Sequence, residues 1–401
     1  MSPSAPPPGE PAPADGSLPA EALAENSPLS LYLHVPFCAT RCGYCDFNTY
    51  TAAELGSTPG ASQQAYLDAV RAELDLAVRV LGPRPVRTVF FGGGTPTLLP
   101  SAEMVGLLDA VRDRFPLAAD IEITTEANPE SVDADYLAAL AEGGFNRLSL
   151  GMQSSVGHVL AVLDRRHTPG RAAQAVGWAR EAGFGSISLD LIYGSPGESA
   201  DDWSASLHAA LALEPDHLSA YSLIVEPGTR LATRIKRGEL PPTDDDVQAD
   251  YYLMADRAAS DAGLSWYEVS NWARPGWECR HNLAYWRSHD WWGIGPGAHS
   301  HVGGTRWWNL RHPARYTARL AGLQSPAEAR EVLDLEDRRV ERVLLELRLV
   351  EGLDLTVLTP SERARVPAMV ESGLAIVGDG QLRLEQRGRL LADWVIRNLL
   401  Q

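Results

Sequence analysis

Six short apolar runs alternate with amphipathic helical stretches from Leu29 onward, and this alternation constrains the fold more than any other feature. The predicted strands are the run ending at Val35 and residues 87–91, 121–125, 146–150, 186–191 and 217–223. In the first helical stretch the apolar positions share one face. Strand–helix units in series predict a parallel sheet, which right-handed crossovers curl toward a barrel. The sequence therefore predicts an α/β fold with an incomplete parallel (β/α)6 barrel.

Composition divides the 401-residue chain into four segments. Residues 1–28 are rich in Pro and Ala without periodicity, which predicts a disordered tail because little surface can be buried. Residues 29–234 hold the barrel units, and residues 235–324 form an extension rich in Trp and His. Residues 325–401 combine charged helices with a turn at Gly378-Asp379-Gly380, which predicts a small α+β, winged-helix-like C-terminal domain.

Charge and hydropathy narrow the class of partner. A net charge of -17 argues against nucleic acid, whose phosphates require a basic surface. No apolar run is long enough for an integral membrane segment, and no signal peptide is recognisable. Only four cysteines occur, three of them clustered, a usage typical of thiols that act as ligands in a reducing compartment. We therefore expect a cytoplasmic protein whose partners are small molecules or proteins.

The three clustered cysteines are Cys38, Cys42 and Cys45, spaced CxxxCxxC directly after the first strand. Thiolates favour zinc, copper or iron–sulfur clusters, and a structural zinc site needs four ligands. Three thiolates leave one iron of a 4Fe-4S cluster open, so the spacing favours such a cluster. A zinc site completed by a distant His or by Cys279 is the alternative.

Polar groups follow the later predicted strands at the point where each strand ends. They are the segment GGGTP at residues 92–96, Glu126, Gln153 and Asp190. The carboxyl ends of parallel strands share one rim, so these groups and the cysteine loop should converge on one cavity. Any one of these groups could be an ordinary polar residue that ends a strand, but together they predict a binding site.

The segments LYLHVPFC, FGGGTPT, TTEANPE, LSLGMQSS, DLIYGSPGE and GIGPGAHS carry a family resemblance from about Leu31 to the C-terminus. The chain resembles the radical-SAM superfamily, and within it the branch of oxygen-independent coproporphyrinogen III oxidases and haem chaperones. The resemblance implies a 4Fe-4S cluster on the three cysteines, with S-adenosylmethionine on the fourth iron as a source of a 5′-deoxyadenosyl radical. It also implies an electron donor such as flavodoxin or ferredoxin.

Nine positions match S-adenosylmethionine-binding positions of the family: Tyr32, Tyr44, Gly93, Gly94, Thr95, Glu126, Gln153, Arg165 and Asp190. By this resemblance the two glycines admit the methionyl group, because a Cβ there would collide with it. Glu126 corresponds to the ribose-binding carboxylate and Tyr44 to the aromatic residue on adenine. Gln153, Arg165 and Asp190 match positions that contact a second S-adenosylmethionine in the oxidase.

Three sequence features distinguish the branches. The oxidase pattern is CxxxCxxCxC, whereas this chain has Phe47 at the last cysteine, and its Pro/Ala tail replaces an ordered N-terminal segment. Residues 281–286 read HNLAYW, which matches the HNxxYW signature of the haem-chaperone branch. We therefore favour a chaperone that carries haem as cargo to an apo-haemoprotein. A decarboxylating coproporphyrinogen oxidase is the alternative.

The segment around HNLAYW is the predicted haem region. Haem iron takes His, Cys, Met or Tyr as axial ligand, so His281 and Cys279 are the haem-ligand candidates. The alternative for Cys279 is an inert buried thiol. The surrounding tryptophans are equally consistent with packing on the open side of the barrel. The glycine-rich GIGPGAHS segment is predicted to form a turn that borders the S-adenosylmethionine site.

Overall fold

One large sheet organises the chain. The structure is a computed structural model, and it describes residues 9–25 and 27–401. The strands of the sheet lie in the spatial order Glu10–Pro11, Ala327–Val332, Thr305–Asn309, His299–Val302, Asp290–Ile294, Leu29–Val35, Val86–Gly93, Leu117–Ala127, Arg147–Gln153, Ser186–Tyr193, His217–Ser222, Asn271–Ala273 and Ser265–Glu268.

The middle of this sheet is parallel. Every neighbouring pair from Asp290–Ile294 to His217–Ser222 is parallel, and the outer strands are antiparallel. The six predicted strands form this centre, which confirms an α/β fold with a mostly parallel sheet. The seventh parallel strand, Asp290–Ile294, was not predicted. Within the described residues the outermost strands, Glu10–Pro11 and Ser265–Glu268, do not pair with each other, so the sheet is open.

Helices connect the strands. Their bounds are Ala20–Ala24, Ala52–Leu55, Gln63–Leu81, Ser101–Arg112, Ala134–Glu142, Gly157–Val162, Arg171–Ala182, Ala200–Leu211, Arg230–Lys236, Asp245–Asp261, Arg280–Trp286 and Pro313–Ala321. In Gln63–Leu81 the predicted apolar face is buried, Ser62 caps the first turn, and Gly82 ends the helix at φ +70°. Pro100, which makes no side-chain capping bond, precedes the helix Ser101–Arg112.

The prediction of a disordered tail over residues 1–28 is wrong for residues 9–25, and residues 1–8 lie outside the described residues. Glu10–Pro11 pairs with Ala327–Val332, and Ala22 is 2% exposed. Arg338 forms an ion pair with Glu25. A Pro/Ala-rich segment cannot build its own core, but here a sheet edge and a helix from distant parts of the chain supply its partners. Composition alone does not register such partners.

The predicted extension over residues 235–324 is not one unit. Its first strands, Ser265–Glu268 and Asn271–Ala273, extend one end of the parallel sheet, and its later strands extend the other end. The helix Arg280–Trp286 connects the two ends. The predicted boundary at residue 325 is also wrong, because Ala327–Val332 pairs with Thr305–Asn309 in the large sheet. Strand pairing, which the composition does not reveal, decides both points.

A separate hydrophobic core defines the C-terminal unit. Its helices are Leu335–Glu346, Pro360–Arg363, Val366–Glu371, Gln386–Leu390 and Ala392–Leu400, and its strands lie in the order Leu353–Asp354, Gln381–Leu384 and Ala375–Gly378. The predicted D-G turn joins the last two strands, with φ of +54° at Asp379 and +76° at Gly380. Positive φ at both central residues suits a tight hairpin, so this local signal predicted the turn correctly.

Candidate functional site

The residues singled out from the sequence line one cavity of about 800 Å³. They are Tyr32, Cys38, Cys42, Tyr44, Cys45, Gly93, Gly94, Thr95, Glu126, Gln153, Arg165, Asp190, Cys279 and His281. Most come from the carboxyl ends of the parallel strands, as the strand-end pattern predicted. A volume of this size lies in the upper part of the range for sites that enclose a small ligand, about 300 to 1,000 Å³.

The cysteine loop follows the strand Leu29–Val35 and is held at both ends and in the middle. Phe37–Cys38 pairs with Tyr50–Thr51, which closes the loop. The Gly43 N–H donates to the Leu163 carbonyl at 3.2 Å, and the Gly43 carbonyl accepts from the Leu231 N–H at 2.9 Å. The loop is thus ordered by backbone hydrogen bonds that do not involve its thiols.

The three thiols face the cavity and are partly exposed there. Burial, with a smaller effect from the neighbouring cysteines, raises the pKa of Cys45 to about 11, and burial also raises the pKa of Cys38. Thiolates at these positions therefore need a compensating positive charge. The Arg165 guanidinium, whose charge the cysteines stabilise, supplies part of it, and a bound metal would supply the rest.

The donor set fits a cluster better than a single metal ion. Among residues 9–25 and 27–401, no three His, Cys, Asp or Glu side chains are grouped so that they could hold one ion. Cys279 contacts Glu122 instead, at 3.7 Å between Sγ and Oε1. The zinc alternative therefore finds no ligand set in this part of the chain. In an iron–sulfur cluster each cysteine binds a different iron, so the thiols need not converge on one point.

The glycines of the GGGTP segment are required by packing within the protein. A Cβ on Gly93 would lie 2.6 Å from the His34 ring, and one on Gly94 would lie 2.4 Å from the Phe37 carbonyl oxygen. Gly93 also has a φ of +110°, which favours glycine. The reason given from the sequence, room for a methionyl group, is therefore not needed to explain them. Tyr32 joins the same packing through a 3.0 Å hydrogen bond between its hydroxyl and His34 Nδ1.

Glu126 and Asp190 bring two enclosed carboxyl groups to the cavity. Glu126 Oε2 accepts a hydrogen bond from the Gly93 N–H at 3.0 Å. Burial, followed by the nearby Asp190, raises the pKa of Glu126 to about 8. Burial also raises the pKa of Asp190, against hydrogen bonds from Ser149 and Ser188. Near neutral pH Glu126 is therefore mostly protonated until a ligand favours its ionised form.

A bulge places Gln153 and Arg165 side by side. The pairing of Arg147–Gln153 with its neighbour shifts register between Gly151 and Gln153, and Gln153 has a φ of +64°. A Cβ on Gly151 would lie 2.7 Å from Gln153 Nε2 and 2.9 Å from Arg165 Nη2. Glycine thus makes room for both side chains. A strained non-glycine residue at a bulge beside a cavity is typical of a functional site.

The helix Arg280–Trp286, which carries the HNxxYW signature, lies at the inner end of the cavity. Glu122 Oε2 accepts from the Arg280 N–H at 3.0 Å, and its Oε1 accepts from the His281 N–H at 2.9 Å. These bonds satisfy two of the free N–H groups of the first helical turn. Glu122 lies in the middle of the strand Leu117–Ala127, five residues before its carboxyl end. The helix therefore forms the floor of the cavity.

The two haem-ligand candidates are engaged at this floor. His281 is hydrogen-bonded through Nδ1 to the Thr88 hydroxyl at 2.7 Å and through Nε2 to the Tyr285 hydroxyl at 2.8 Å. Burial lowers the pKa of His281 to about 3, so the ring is neutral. Burial raises the pKa of Cys279 to about 12, so its thiol is protonated. For either side chain to ligate iron, a bond described here must break.

Known proteins resemble this chain in both sequence and structure. Residues 32–210 match the family model of the radical SAM superfamily. The haem chaperone HemW of Mycobacterium tuberculosis H37Rv is 53% identical over 96% of this chain and 97% of its own length. HemW of Bacillus subtilis is 33% identical over 91% and 97%. In structure, coproporphyrinogen III oxidase (HemN) of Escherichia coli has a TM-score of 0.81 at 26% identity, over 94% of this chain and 91% of HemN.

The chain belongs to the HemW family. Identity to the HemW of Mycobacterium tuberculosis is twice the identity to HemN of Escherichia coli, over nearly the whole chain in both cases. The choice of the haem-chaperone branch over the oxidase, made from Phe47, the HNxxYW signature and the Pro/Ala tail, is therefore confirmed. The tail gives that choice no support, because it pairs with the large sheet. The radical-SAM family implies a 4Fe-4S cluster and S-adenosylmethionine as cofactors.

The residues of the inner wall of the cavity were not predicted from the sequence. Membership of the HemW family does not explain them either. His217 is hydrogen-bonded to Ser188 at 2.8 Å and to Tyr267 at 2.8 Å, and the Arg147 guanidinium donates to Ser186 at 2.9 Å. A signal existed, because polar residues alternate along the strands Ser186–Tyr193 and His217–Ser222. In a parallel sheet buried on both faces, such alternation marks the face that lines a cavity.

The GIGPGAHS segment forms the predicted turn, but its residues do not line the cavity. The Gly295 N–H donates to Glu73 Oε2 at 2.8 Å, and a Cβ on Gly295 would lie 2.5 Å from the His34 carbonyl oxygen. Glu73 is fully buried and also accepts from Asn309 at 2.7 Å and Tyr316 at 2.6 Å. Burial raises the pKa of Glu73 to about 7. The turn therefore supports the cavity wall from behind.

No helix among the described residues is both long and apolar enough to cross a membrane.

Proposed function

We propose that this chain binds haem and passes it to an apo-haemoprotein, with a 4Fe-4S cluster and S-adenosylmethionine as cofactors. The observation that carries the proposal is the 53% identity to a haem chaperone over 96% of the chain. The HNxxYW signature, which folds into the cavity beside the candidate cofactor residues, supports it. Nothing in this proposal requires turnover of a porphyrinogen.

Cys38, Cys42 and Cys45 would hold the cluster, since they are the thiols that face the cavity. When bound, the cluster and S-adenosylmethionine supply a route to a 5′-deoxyadenosyl radical. The residues of the chain would orient the bound S-adenosylmethionine and enclose it. Glu126 would accept the ribose hydroxyls, Tyr44 would cover the adenine, and Gly93, Gly94 and Thr95 would line the methionyl end.

Gln153, Arg165 and Asp190 remain proposed ligand contacts of the same cavity. Their packing around Gly151 supports a joint role, because Gln153 and Arg165 approach the same glycine. Tyr32 positions His34 and, through it, the glycine segment. His281 and Cys279 stay the sequence-derived candidates for haem ligation.

The finer architecture belongs to the same proposal. The open, mostly parallel sheet would form an incomplete (β/α)6 barrel, and the three-stranded C-terminal unit would be winged-helix-like and serve as a lid or partner surface. The electron donor would be a flavodoxin or ferredoxin, and the protein would act in the cytoplasm. A nucleic acid is not among the proposed partners.

Oxygen-independent coproporphyrinogen oxidation is the second candidate function. The TM-score of 0.81 to HemN favours it, since that likeness covers 94% of the chain. Phe47 in place of the last cysteine of the oxidase pattern weighs against it.

One experiment tests both functions on the same preparation. After anaerobic cluster reconstitution, the protein is assayed for haem transfer to an apoprotein and for S-adenosylmethionine-dependent decarboxylation of coproporphyrinogen III. We expect stoichiometric haem uptake, transfer to the apoprotein and no decarboxylation. Robust decarboxylation, together with haem binding no stronger than that of an unrelated acidic protein, would make coproporphyrinogen oxidation the first candidate function and haem transfer the second.

A further inference from the structure

Three large side chains with apolar surface form a lip at the opening of the cavity: Phe47, Tyr221 and Ile224. All three line the cavity, yet Phe47 is 61% exposed and Ile224 is 68% exposed. Phe47 and Ile224 therefore lie at the opening, because each lines the cavity while most of its surface meets solvent. Tyr221, 46% exposed and three residues before Ile224, belongs to the same lining. Other strongly exposed apolar side chains, such as Leu323 and Leu335, are not part of the cavity lining.

Hydrogen bonds hold the backbone that carries the lip residues. The Phe47 carbonyl accepts a 2.7 Å hydrogen bond from the Thr49 N–H, within the closed cysteine loop. Leu223, next to Ile224, donates its N–H to Tyr193 at 2.8 Å and accepts from Gln248 at 3.0 Å, and it is 4% exposed. The chain thus buries Leu223 and presents Ile224 to solvent. Single exposed apolar side chains are ordinary, but several grouped at one cavity opening mark a binding surface.

The size and charge of the lip decide what fits it. A stable protein interface buries about 800 Å² on each partner, far more than three side chains present. A flat tetrapyrrole with two carboxylates needs only a narrow apolar edge and a nearby cation. Arg41 and Arg165 line the same cavity, and Arg41 is already ion-paired with Glu54. Acidic residues line the same cavity, so its charge is mixed, and Arg165 is the cation it offers to a haem carboxylate; the acidic residues are Asp46, Glu126, Glu130, Asp190 and Glu226.

We propose that the haem macrocycle docks on the Phe47–Tyr221–Ile224 lip, at the mouth of the cavity and not on its floor. This inference rests on the proposed function, since it takes haem binding as given and assigns its place. It differs from the sequence-derived expectation, because both ring nitrogens of His281 are already hydrogen-bonded at the floor.

The test uses the cluster-reconstituted chain and haem itself. Haem retained after anaerobic desalting is measured as the pyridine haemochrome, which the cluster does not obscure, and affinity is measured by quenching of tryptophan fluorescence. The variants are Phe47→Ser, Ile224→Ser and their combination, with Phe47→Trp as the conservative variant. Leu323→Ser and Leu335→Ser are the matched controls, at 90% and 83% exposure outside the cavity. Iron and sulfide are measured for each variant.

We expect the double variant to bind haem at least tenfold more weakly, equivalent to about 1.4 kcal/mol. Phe47→Trp should keep the wild-type affinity, and both controls should stay within twofold of it. If Phe47→Ser loses iron, Ile224→Ser alone decides, with an expected loss of at least threefold.

Unchanged binding in the lip variants, with intact haem uptake by the wild type, overturns the docking site and leaves the proposed function in place. So does loss of haem in His281→Ala without loss in the lip variants, because the haem then lies at the floor. Normal haem binding with impaired transfer would make the lip a protein contact and also overturn the inference. No haem uptake by the wild type refutes the proposed function itself.

Discussion

Replacing Glu126 by Gln tests whether a single enclosed carboxyl group controls S-adenosylmethionine affinity. Glu126 Oε2 already accepts one hydrogen bond, from the Gly93 N–H, and the group lines the cavity. Hydrogen bonds from ribose hydroxyls to an ionised carboxylate contribute about 1.5 to 3 kcal/mol. The amide keeps the shape of the side chain and removes its charge. We therefore expect Glu126→Gln to weaken binding roughly 10- to 150-fold where Glu126 is ionised.

The raised pKa makes this loss depend on pH. With a pKa of about 8, about one tenth of Glu126 is ionised at pH 7 and about nine tenths at pH 9. Apparent affinity scales with the competent fraction, so the wild type should bind about tenfold more tightly at pH 9 than at pH 7. The loss caused by Glu126→Gln should accordingly be about tenfold smaller at pH 7. Ligand binding to the carboxylate favours the ionised form and so opposes the effect of burial.

Equilibrium dialysis of labelled S-adenosylmethionine against reconstituted protein, between pH 6.5 and 9, measures both effects. The affinity of the Gln variant changes with pH only through the other titrating groups, including the amine of the ligand. The ratio of the wild-type affinity to the variant affinity therefore isolates the titration of Glu126. Glu130→Gln is the matched control, because Glu130 lines the same cavity with its carboxylate bonded to Thr168. A wild-type to variant ratio that does not change with pH refutes the reasoning.

Three further predictions address the cluster, the buried support and the N-terminal segment. Cys42→Ala should abolish cluster assembly and Cys279→Ala should not, by iron and sulfide analysis; equal loss would show that Cys279 is a ligand. Between pH 4.5 and 7, native Glu73 keeps a proton that the unfolded chain releases, so rising pH should destabilise the wild type relative to Glu73→Gln by up to about 3 kcal/mol in urea titrations. Equal slopes with pH would place Glu73 in a polar environment. Ala22→Asp should lower Tm, by about 2 to 4 °C per kcal/mol lost, and Ala24→Asp at the exposed neighbouring position should not, whereas equal effects would mean that the segment is detached.

The sequence predicts those parts of the fold that local patterns determine. The six central strands and the Asp379-Gly380 hairpin follow from apolar runs and turn residues, which act within a few positions of each other. The convergence of the candidate residues on one cavity follows from a general property of parallel sheets. These predictions required no knowledge of which distant segments pair.

Long-range pairing accounts for what the sequence did not predict. Asp290–Ile294 is parallel to Leu29–Val35 although more than 250 residues separate them, and its two tryptophans resemble those of the neighbouring antiparallel strands. The domain boundary was misplaced for the same reason, since Ala327–Val332 joins the large sheet through its pairing alone. The floor helix was recognised as a signature, but its place beneath the cavity depends on Glu122, far away in the chain.

The pairing of Glu10–Pro11 with Ala327–Val332 has a consequence for how the protein is made. The first of these strands leaves the ribosome long before its partner has been synthesised. At about 5 to 20 residues per second, the delay between them is roughly 15 to 60 s. Throughout that interval Glu10–Pro11 has no sheet edge with which to pair. Once Ala327–Val332 has been synthesised, that strand remains an unpaired edge until Glu10–Pro11 joins it. Completion of the large sheet is therefore tied to near-completion of translation, so a nascent chain stalled before residue 327 would leave residues 9–25 accessible to proteases and chaperones.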